Sequence, residues 1–271
     1  MNFSRIFSSG RKRRNADSLI RELSRIGNLP DAAGGIAHVF NKPFRFHHAS
    51  GFLSTFRKYF TDETLKFQPE SKQGGIILDG GSNMGLSVLY FSLNYPNHHV
   101  IAFEPERQVF DILQENVAVF GLKNVELHQK ALWVEEKELL FHSDGGMGGR
   151  VSYPFFNSDN AIQKVSGIAL GDFLNTRVEL LKLDIEGAEN EVLTACRGKL
   201  SQVSHIYFEY HNHVKKGQSL HQLLELMGEE GFRYHIRESF VQQKPFLDNF
   251  LLCESFDMAL SIFCAKFASP S

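Results

Sequence analysis

A glycine-rich segment with an acid at its head is the first stretch of this chain whose residues could do chemistry. It runs from Asp79 to Gly85 and follows three branched apolar residues, Ile76–Leu78. Such a run predicts a buried strand that ends in a tight turn before a helix. In open α/β sheets, ligands bind where strands reach their carboxyl ends, and glycine lets the backbone approach a ligand closely. The segment therefore predicts the floor of a nucleotide-like cofactor site.

A second acid, Glu104, ends the second predicted strand of the chain. A carboxylate in that position can accept hydrogen bonds from both ribose hydroxyls of a nucleotide. Nicotinamide enzymes share this acid, but their first loop normally reads G-x-G-x-x-G and directs a helix N-terminus at a pyrophosphate. The Asp79–Gly85 loop lacks that spacing, and its acid would repel a pyrophosphate but attract a cationic cofactor. S-adenosylmethionine, which carries a sulfonium and an α-amino group, fits this charge better.

Four ionisable residues fall within eight positions, at the end of another apolar run, between Lys182 and Glu189. Acids in the first turn of a helix complement its dipole, which accounts for Glu189 and in part for Glu186. It does not account for Lys182 inside an apolar strand, where a charge needs a partner. The segment therefore predicts a polar network beneath the cofactor or its reaction partner.

Three residues near the ends of the fourth and fifth predicted strands are candidates for catalysis: His211, Asp184 and Glu186. Histidine has a suitable intrinsic pKa for a general base, and it shares one side of its strand with Glu209 by alternation. Asp184 is also a candidate to hold the amino end of the cofactor. The three side chains offer oxygen and imidazole ligands to a divalent metal. Because nothing in the spacing specifies a metal, we do not expect one.

Three motifs of the chain resemble those of the FkbM-type S-adenosylmethionine-dependent methyltransferases, and the resemblance spans about Phe52 to His211. The motifs are Asp79-x-Gly81-x-Asn83-x-Gly85, Phe103-Glu104-Pro105 and, most specifically, Lys182-x-Asp184-x-Glu186-Gly187-x-Glu189. The resemblance implies a seven-stranded sheet whose last strand is antiparallel, and O-methylation of a sugar, glycan or natural-product hydroxyl. Gly80 departs from the pattern, since many members carry a bulkier aliphatic residue there, and we expect this glycine to loosen the loop.

The predicted cofactor contacts come from the ends of four strands, where the loops of such a sheet converge. They are Asp79, Gly80, Gly81, Ser82, Asn83, Gly85, Glu104, Pro105, Ala131 and Asp184.

Alternating apolar runs and helical patterns predict an α/β fold with a doubly wound, mainly parallel, Rossmann-like sheet. The predicted strands are Ile76–Asp79, His99–Phe103, Val125–Gln129, Glu179–Asp184, His205–Tyr210, Phe232–Ile236 and Ala259–Phe267, with an extra hairpin around Glu138–His142. The predicted helices of this part are Leu86–Tyr95, Arg107–Phe120, one from near Glu186 and one around Leu220–Met227.

Residues 1–70 are predicted to form a small N-terminal extension, and residues 71–271 the cofactor-binding domain. The extension is expected to hold a basic tail, a helix over Ala16–Gly27, a short strand at Phe44–Phe46 and an aromatic helix over Phe52–Phe67. The aromatic face of that helix is expected to pack on the sheet. Four glycines between Gly145 and Gly149 predict a loop that closes over the site or is simply irregular.

The composition of the chain restricts the kinds of molecule that it is expected to bind. The chain has 271 residues, 42% of them hydrophobic, and a net charge of −2, so a strongly basic nucleic-acid binder is disfavoured. The widely spaced Cys196, Cys253 and Cys264 predict neither a zinc site nor a disulfide framework, and a cytoplasmic location fits. No apolar run reaches about 18 residues, so no transmembrane segment is expected. The expected partner is a small-molecule or glycan acceptor, and the oligomeric state stays open.

Two other functions remain alternatives at this stage. A nicotinamide-dependent oxidoreductase is disfavoured by the missing G-x-G-x-x-G motif. A non-catalytic binding protein on the same fold is disfavoured by the presence of Asp79, Glu104 and the loop glycines. Methylation of nitrogen or carbon instead of oxygen also remains open.

Overall fold

A computed structural model of the chain describes residues 12–71, 73–142, 150–151, 162–248, 251 and 256–266. The predicted Gly145–Gly149 loop, Cys253 and most of the basic tail lie outside these residues. The N-terminal part contains helix α1 (Lys12–Gly27), hairpin β1 (Gly35–Val39) and β2 (Lys42–Phe46), helix α2 (Ala49–Phe56) and a π-helical turn (Arg57–Thr61). The prediction of one helix through Phe67 is therefore wrong at its end, because the chain leaves helical geometry after the π turn.

The rest of the chain alternates strands and helices as expected, with an additional small sheet. In chain order the elements are β3 (Ile76–Gly80), α3 (Leu86–Asn94), β4 (His99–Phe103), α4 (Arg107–Phe120), β5 (Val125–His128), β6 (Ala131–Trp133), β7 (Glu138–His142), β8 (Arg150–Val151), β9 (Ile162–Ala169), β10 (Val178–Leu183), α5 (Glu189–Ala195), β11 (Val203–His213), α6 (Leu220–Glu229), β12 (Arg233–Phe240) and β13 (Phe256–Ala265), with 3₁₀ turns at Leu170–Phe173 and Leu200–Gln202.

The central sheet has seven strands in the order β12-β13-β11-β10-β3-β4-β5. All neighbours from β5 to β11 are parallel, whereas β13 runs antiparallel to both β11 and β12. The predicted doubly wound sheet with an antiparallel last strand is confirmed. After β5 the chain returns to the other side of β3, so the winding reverses between β3 and β10. That reversal opens a crevice at the carboxyl ends of these two strands.

A second sheet has the order β6-β9-β7-β8. The sequence predicted only a hairpin around Glu138–His142, which is β7 paired with its antiparallel neighbours β8 and β9. Strand β9 was not predicted. This sheet brings Ala131 and Phe141 to the edge of the crevice.

The N-terminal part packs on one face of the central sheet and shares its core. The rings of Phe52, Phe56 and Phe60 form a continuous run with centroid distances of 5.7 and 4.8 Å, and Phe60 reaches Tyr90 of α3 at 5.5 Å. Ile77 of β3 lies in the same buried cluster. The aromatic face packs on the sheet as predicted, and Tyr59, which lies between Phe56 and Phe60 in the chain, lines the crevice. Within the described residues, the structure contains no helix of the length and apolar character needed to cross a bilayer.

The aromatic cluster generates a stability prediction. Phe52 is fully buried and contacts the rings of Phe44, Phe46 and Phe56, so Phe52→Ala should lower the free energy of unfolding by about 3–5 kcal/mol. Urea denaturation followed by circular dichroism measures this loss. Ile20→Ala, at a half-exposed position of α1, is the control and should cost less than about 1 kcal/mol. Equal costs for the two variants would contradict the burial of Phe52 in this aromatic cluster.

Candidate active site

The loop between β3 and α3 is held against its neighbouring strands by short backbone contacts. The N–H groups of Gly81 and Ser82 both donate to the carbonyl of Phe103, at 3.1 and 2.9 Å. Gly81 has a φ of +74°, and a Cβ there would lie 1.9 Å from the Asp184 carbonyl oxygen. Only glycine fits a position with this backbone conformation and this clearance. The loop of β3 and the loop of β10 therefore touch at Gly81.

Gly80 does not loosen the loop, contrary to the expectation from sequence. It is the last residue of β3, and a Cβ there would lie 2.7 Å from Leu132 and 2.8 Å from Leu183. The leucine side chains fill the space that a bulkier residue at position 80 would take. The departure from the family pattern is thus compensated by packing.

An ion pair between Asp79 and Lys182 lies directly beneath the loop. Both side chains are buried, and Lys182 Nζ is 3.1 Å from Asp79 Oδ1, a contact that is close but not oriented as a hydrogen bond. Asp79 Oδ2 accepts a hydrogen bond of 2.6 Å from Ser87. Lys182 donates to the carbonyls of Gly80 and Gly81 at 3.1 and 2.7 Å. The pair thus forms a polar network of the kind predicted from the position of Lys182, and it fixes the course of the loop.

A pocket opens above this network, at the carboxyl ends of the parallel strands. Its walls include predicted cofactor contacts and also Asp184 and Glu186, two of the predicted catalytic residues. The predicted cofactor contacts that line it are Gly81, Ser82, Asn83, Glu104, Pro105, Ala131 and Asp184. Asp79, Gly80 and Gly85 lie outside the lining. The Asp79 carboxylate faces Lys182 and Ser87 instead, so its predicted contact with a cofactor remains a prediction.

Glu104 stands in the pocket wall with both carboxylate oxygens already partly engaged. One oxygen accepts from the N–H of Asn83 at 3.0 Å, and the other accepts from the N–H of Glu106 at 2.9 Å. Burial raises the pKa of Glu104 to about 7, although these two backbone N–H groups oppose the rise. Because each oxygen accepts one of these two bonds, each has a second lone pair that can accept a further hydrogen bond. The side chain is therefore placed and oriented to accept hydroxyl hydrogen bonds once it is ionised.

The loop that follows β10 is shaped by Glu189. Its two carboxylate oxygens accept hydrogen bonds of 3.0 Å from the N–H groups of Ile185 and Gly187. Helix α5 begins only at Glu189, so the predicted start near Glu186 is wrong. Glu186 has a φ of +55° and Gly187 a φ of +92°, which a right-handed helix does not allow. A positive φ in a residue other than glycine is strained and is typical of functional sites.

The three predicted catalytic side chains, His211, Glu186 and Asp184, converge at one end of the pocket. His211 Nδ1 lies 3.2 Å from Glu189 Oε1, and Nε2 lies 3.6 Å from Glu186 Oε2. Asp184 and Glu186 line the pocket, whereas His211 is buried behind them. The structure therefore brings the predicted group together and adds Glu189 as its anchor.

The charges of this group differ from those expected. Burial opposes a charged imidazole, yet the carboxylates of Glu186 and Glu189 raise the pKa of His211 well above its ordinary value. Burial raises the pKa of Glu186 to about 8, and the charge of His211 opposes that rise. A protonated histidine has no lone pair with which to accept a proton. The prediction of His211 as a general base thus has a physical objection, and Glu186, with a pKa of about 8, can serve as a base only after it loses its own proton.

One ligand atom from each of Asp184, Glu186 and His211 lies within 4.8 Å of the other two, so the group could hold a metal ion. Among the described residues, the imidazolium of His211 faces Glu186 and the ammonium of Lys58 faces Asp184. Two cations therefore offset much of the negative charge, and we assign no metal to this group.

Lys58 is a residue of this site that the sequence did not indicate. Its Nζ pairs with the carboxylate of Glu209 and lies 3.9 Å from Asp184 Oδ2. Burial would lower the pKa of Lys58, but Tyr207 and Glu209 raise it well above its ordinary value. The adjacent Tyr59 lines the pocket. Arg57 and Lys58 are adjacent cations in an aromatic stretch, and only the fold shows that Lys58 is the one with buried partners.

The sequence of this chain is similar to those of known methyltransferases. Residues 79–234 match the family described as the methyltransferase FkbM domain. The chain is 31% identical over 160 residues to Methyltransferase 1 of Beauveria bassiana (strain ARSEF 2860), a match that covers 51% of this chain and 64% of that protein. It is 26% identical over 177 residues to Methyltransferase sdnD of Sordaria araneosa, with coverage of 51% and 66%. The chain thus matches slightly less than two thirds of the length of either relative.

Among solved structures, the chain is similar to the methyltransferase FkbM from Methylobacillus flagellatus KT. The sequence identity is 13% and the TM-score is 0.45, over 92% of this chain and 59% of that chain.

The buried ion pair generates a second prediction. Lys182→Met should lower the free energy of unfolding by about 3–5 kcal/mol, because it leaves the Asp79 carboxylate buried without a countercharge. Urea denaturation measures the loss. The double variant Lys182→Met/Asp79→Asn removes both charges and should be more stable than the single variant. The pairing would be contradicted if Lys182→Met were as stable as the wild type. It would also be contradicted if the double variant lost as much stability as the two single variants together.

Proposed function

The chain belongs to the FkbM methyltransferase domain family, and on that premise we propose that it transfers a methyl group from S-adenosylmethionine to a hydroxyl group of a sugar, glycan or natural product. The observation that carries this proposal is the pocket whose walls hold Glu104 at one place and Asp184 and Glu186 at another. Glu104 suits the nucleoside of the methyl donor. Asp184 and Glu186 suit the cationic sulfur of the donor and the hydroxyl of the acceptor.

In the proposed complex, Glu104 accepts hydrogen bonds from the ribose hydroxyls, and Asp184 lies near the cationic end of the cofactor. The support for the first contact is the orientation of the Glu104 carboxylate by two backbone N–H groups. The support for the second is electrostatic, since a carboxylate in a pocket wall attracts a sulfonium and an ammonium group. The small loop residues Gly81 and Ser82 let the cofactor lie against the backbone.

The transfer itself is an in-line displacement at the methyl carbon. The acceptor oxygen forms a bond to that carbon, and the carbon–sulfur bond breaks with its electron pair left on sulfur. The hydroxyl proton goes to the Glu186 carboxylate, which lines the pocket. Its pKa, which burial raises to about 8, should fall when a sulfonium binds, because a nearby cation favours the carboxylate. His211 then orients Glu186 and balances its charge, so we propose it as a positioning residue.

A hydroxyl is an acceptor that this end of the pocket suits. Carboxylates accept hydrogen bonds from hydroxyls, and the Asp184–Glu186 end of the pocket offers several such acceptors. A sugar or polyhydroxylated natural product presents several hydroxyls to them. The acceptor is therefore proposed as a small molecule or a glycan.

Methyl transfer is tested with radiolabelled S-adenosylmethionine and a panel of sugars, glycans and hydroxylated natural products. We expect labelled product with hydroxylated acceptors and none with acceptors whose hydroxyls are blocked. In the same assay Glu186→Gln should lower kcat about 10²–10⁴-fold, because it removes the general base, while cofactor affinity changes little. Glu191→Gln, on α5 and paired with Lys216, is the control. If the Glu186→Gln variant turned over at the wild-type rate, the proposed role of Glu186 would be refuted.

The pH dependence of nucleoside binding tests Glu104. Its pKa of about 7 means that the carboxylate is largely protonated below that pH and cannot accept from two hydroxyls. Affinity for 5′-methylthioadenosine should therefore rise as the pH increases from 6 to 8, measured by calorimetry. This probe has no amino-acid group that titrates in the range. Glu104→Gln should bind more weakly and without this pH dependence, whereas an equal pH dependence in both proteins would rule out Glu104.

A further inference from the structure

The N-terminal part of the chain contributes directly to the end of the pocket where methyl transfer is proposed. The π-helical turn Arg57–Thr61 places Tyr59 in the pocket lining and Lys58 Nζ 3.9 Å from Asp184 Oδ2, which belongs to the same lining. Turns of this kind occur frequently at functional sites. Lys58 has a side chain that is 24% exposed, so it is neither a free surface lysine nor completely sealed in the core.

The partners of Lys58 connect three separate parts of the chain. Its Nζ contacts Glu209 of β11, lies 3.9 Å from Asp184 Oδ2 after β10, and stands 5.4 Å from the ring centroid of Tyr207. Glu209 is further held by hydrogen bonds from Tyr207 and Ser239. The ammonium is therefore fixed by a network that does not itself line the pocket, and it faces a carboxylate that does.

Resting on the proposed function, we propose that Lys58 is a positioning residue of the methyl-transfer site, which holds the Asp184 carboxylate in place and limits the negative charge at the reacting end of the pocket. Glu209 fixes the ammonium, the ammonium fixes Asp184, and Asp184 faces the ligand. A misplaced carboxylate at this point would alter the approach of acceptor and methyl group, and such alignment carries a large part of the rate.

The first measurement compares turnover of the wild type with that of Lys58→Met. We expect kcat to fall roughly tenfold or more, because alignment is lost, with less than about a threefold change in KM for the acceptor. Lys66→Met is the matched control, since Lys66 carries the same charge in the same part of the chain and pairs with Glu63 at the surface. Equal kcat values in Lys58→Met and the wild type would overturn the proposal.

A purely structural role of Lys58 is tested with the double variant Lys58→Met/Glu209→Gln. If Lys58 served only to neutralise Glu209, removing both charges would restore both stability and kcat to the level of Glu209→Gln alone. We expect the melting temperature to recover while kcat stays low, because Asp184 still lacks its partner. Recovery of kcat in the double variant would overturn the positioning role.

The second measurement does not require turnover. S-adenosylmethionine and its demethylated product differ by a methyl group and by the positive charge on sulfur, so the ratio of their affinities reports the electrostatic potential at the reacting end. Loss of the Lys58 cation should shift this ratio toward S-adenosylmethionine by roughly threefold or more, and Lys66→Met should not shift it. Calorimetry with both ligands measures the ratio.

The two proposals fail in distinguishable ways. Wild-type protein that binds both ligands but methylates no acceptor would refute the proposed function, and the affinity ratio of Lys58→Met would still decide the role of Lys58. Active wild-type protein with an unchanged ratio and unchanged kcat in Lys58→Met would refute the role of Lys58 alone.

Discussion

The buried ion pair between Asp79 and Lys182 is the interaction on which the rest of the site depends. It joins β3 and β10, the two strands between which the sheet reverses its winding. Burying two charges is costly unless they are paired and hydrogen-bonded, and here Ser87 and the carbonyls of Gly80 and Gly81 supply the additional bonds. Because Lys182 holds the two glycine carbonyls, the same pair sets the backbone against which a ligand would lie. The loop after β10 then packs on Gly81 and takes its position from it.

Above this pair, the pocket is divided by the chemistry of its walls. Backbone N–H groups orient the acid at the end of β4, and the acids after β10 are oriented by Glu189, His211 and Lys58. The first arrangement uses two backbone hydrogen bonds. The second draws on three segments that are distant in sequence, so it is the part of the site in which substitutions of remote residues should alter reactivity. In our proposal the first group holds the nucleoside of the methyl donor, and the second group faces its cationic sulfur and activates the acceptor.

Sequence reasoning predicted the central sheet well because its strands are short apolar runs bounded by glycine, proline or acids. It also identified Glu104 and the Lys182–Glu189 segment, since charges at the ends of buried strands are conspicuous. It did not identify Lys58, whose partner Glu209 lies 151 positions away and is reached only through the tertiary fold. It placed the start of α5 too early because the acids after Asp184 resemble a first helical turn, whereas Glu189 bends the backbone by accepting two N–H groups. Strand β9 was missed because polar residues and Gly167 interrupt its alternation.

The central claim is that the pocket above the Asp79–Lys182 pair binds S-adenosylmethionine. Isothermal titration calorimetry of the purified, folded protein with the demethylated product of that cofactor tests it most directly, because this ligand cannot be consumed. We predict saturable binding of one molecule per chain, which NADH does not displace. A folded protein that shows no binding of the product, or that binds NADH in its place, would contradict the claim.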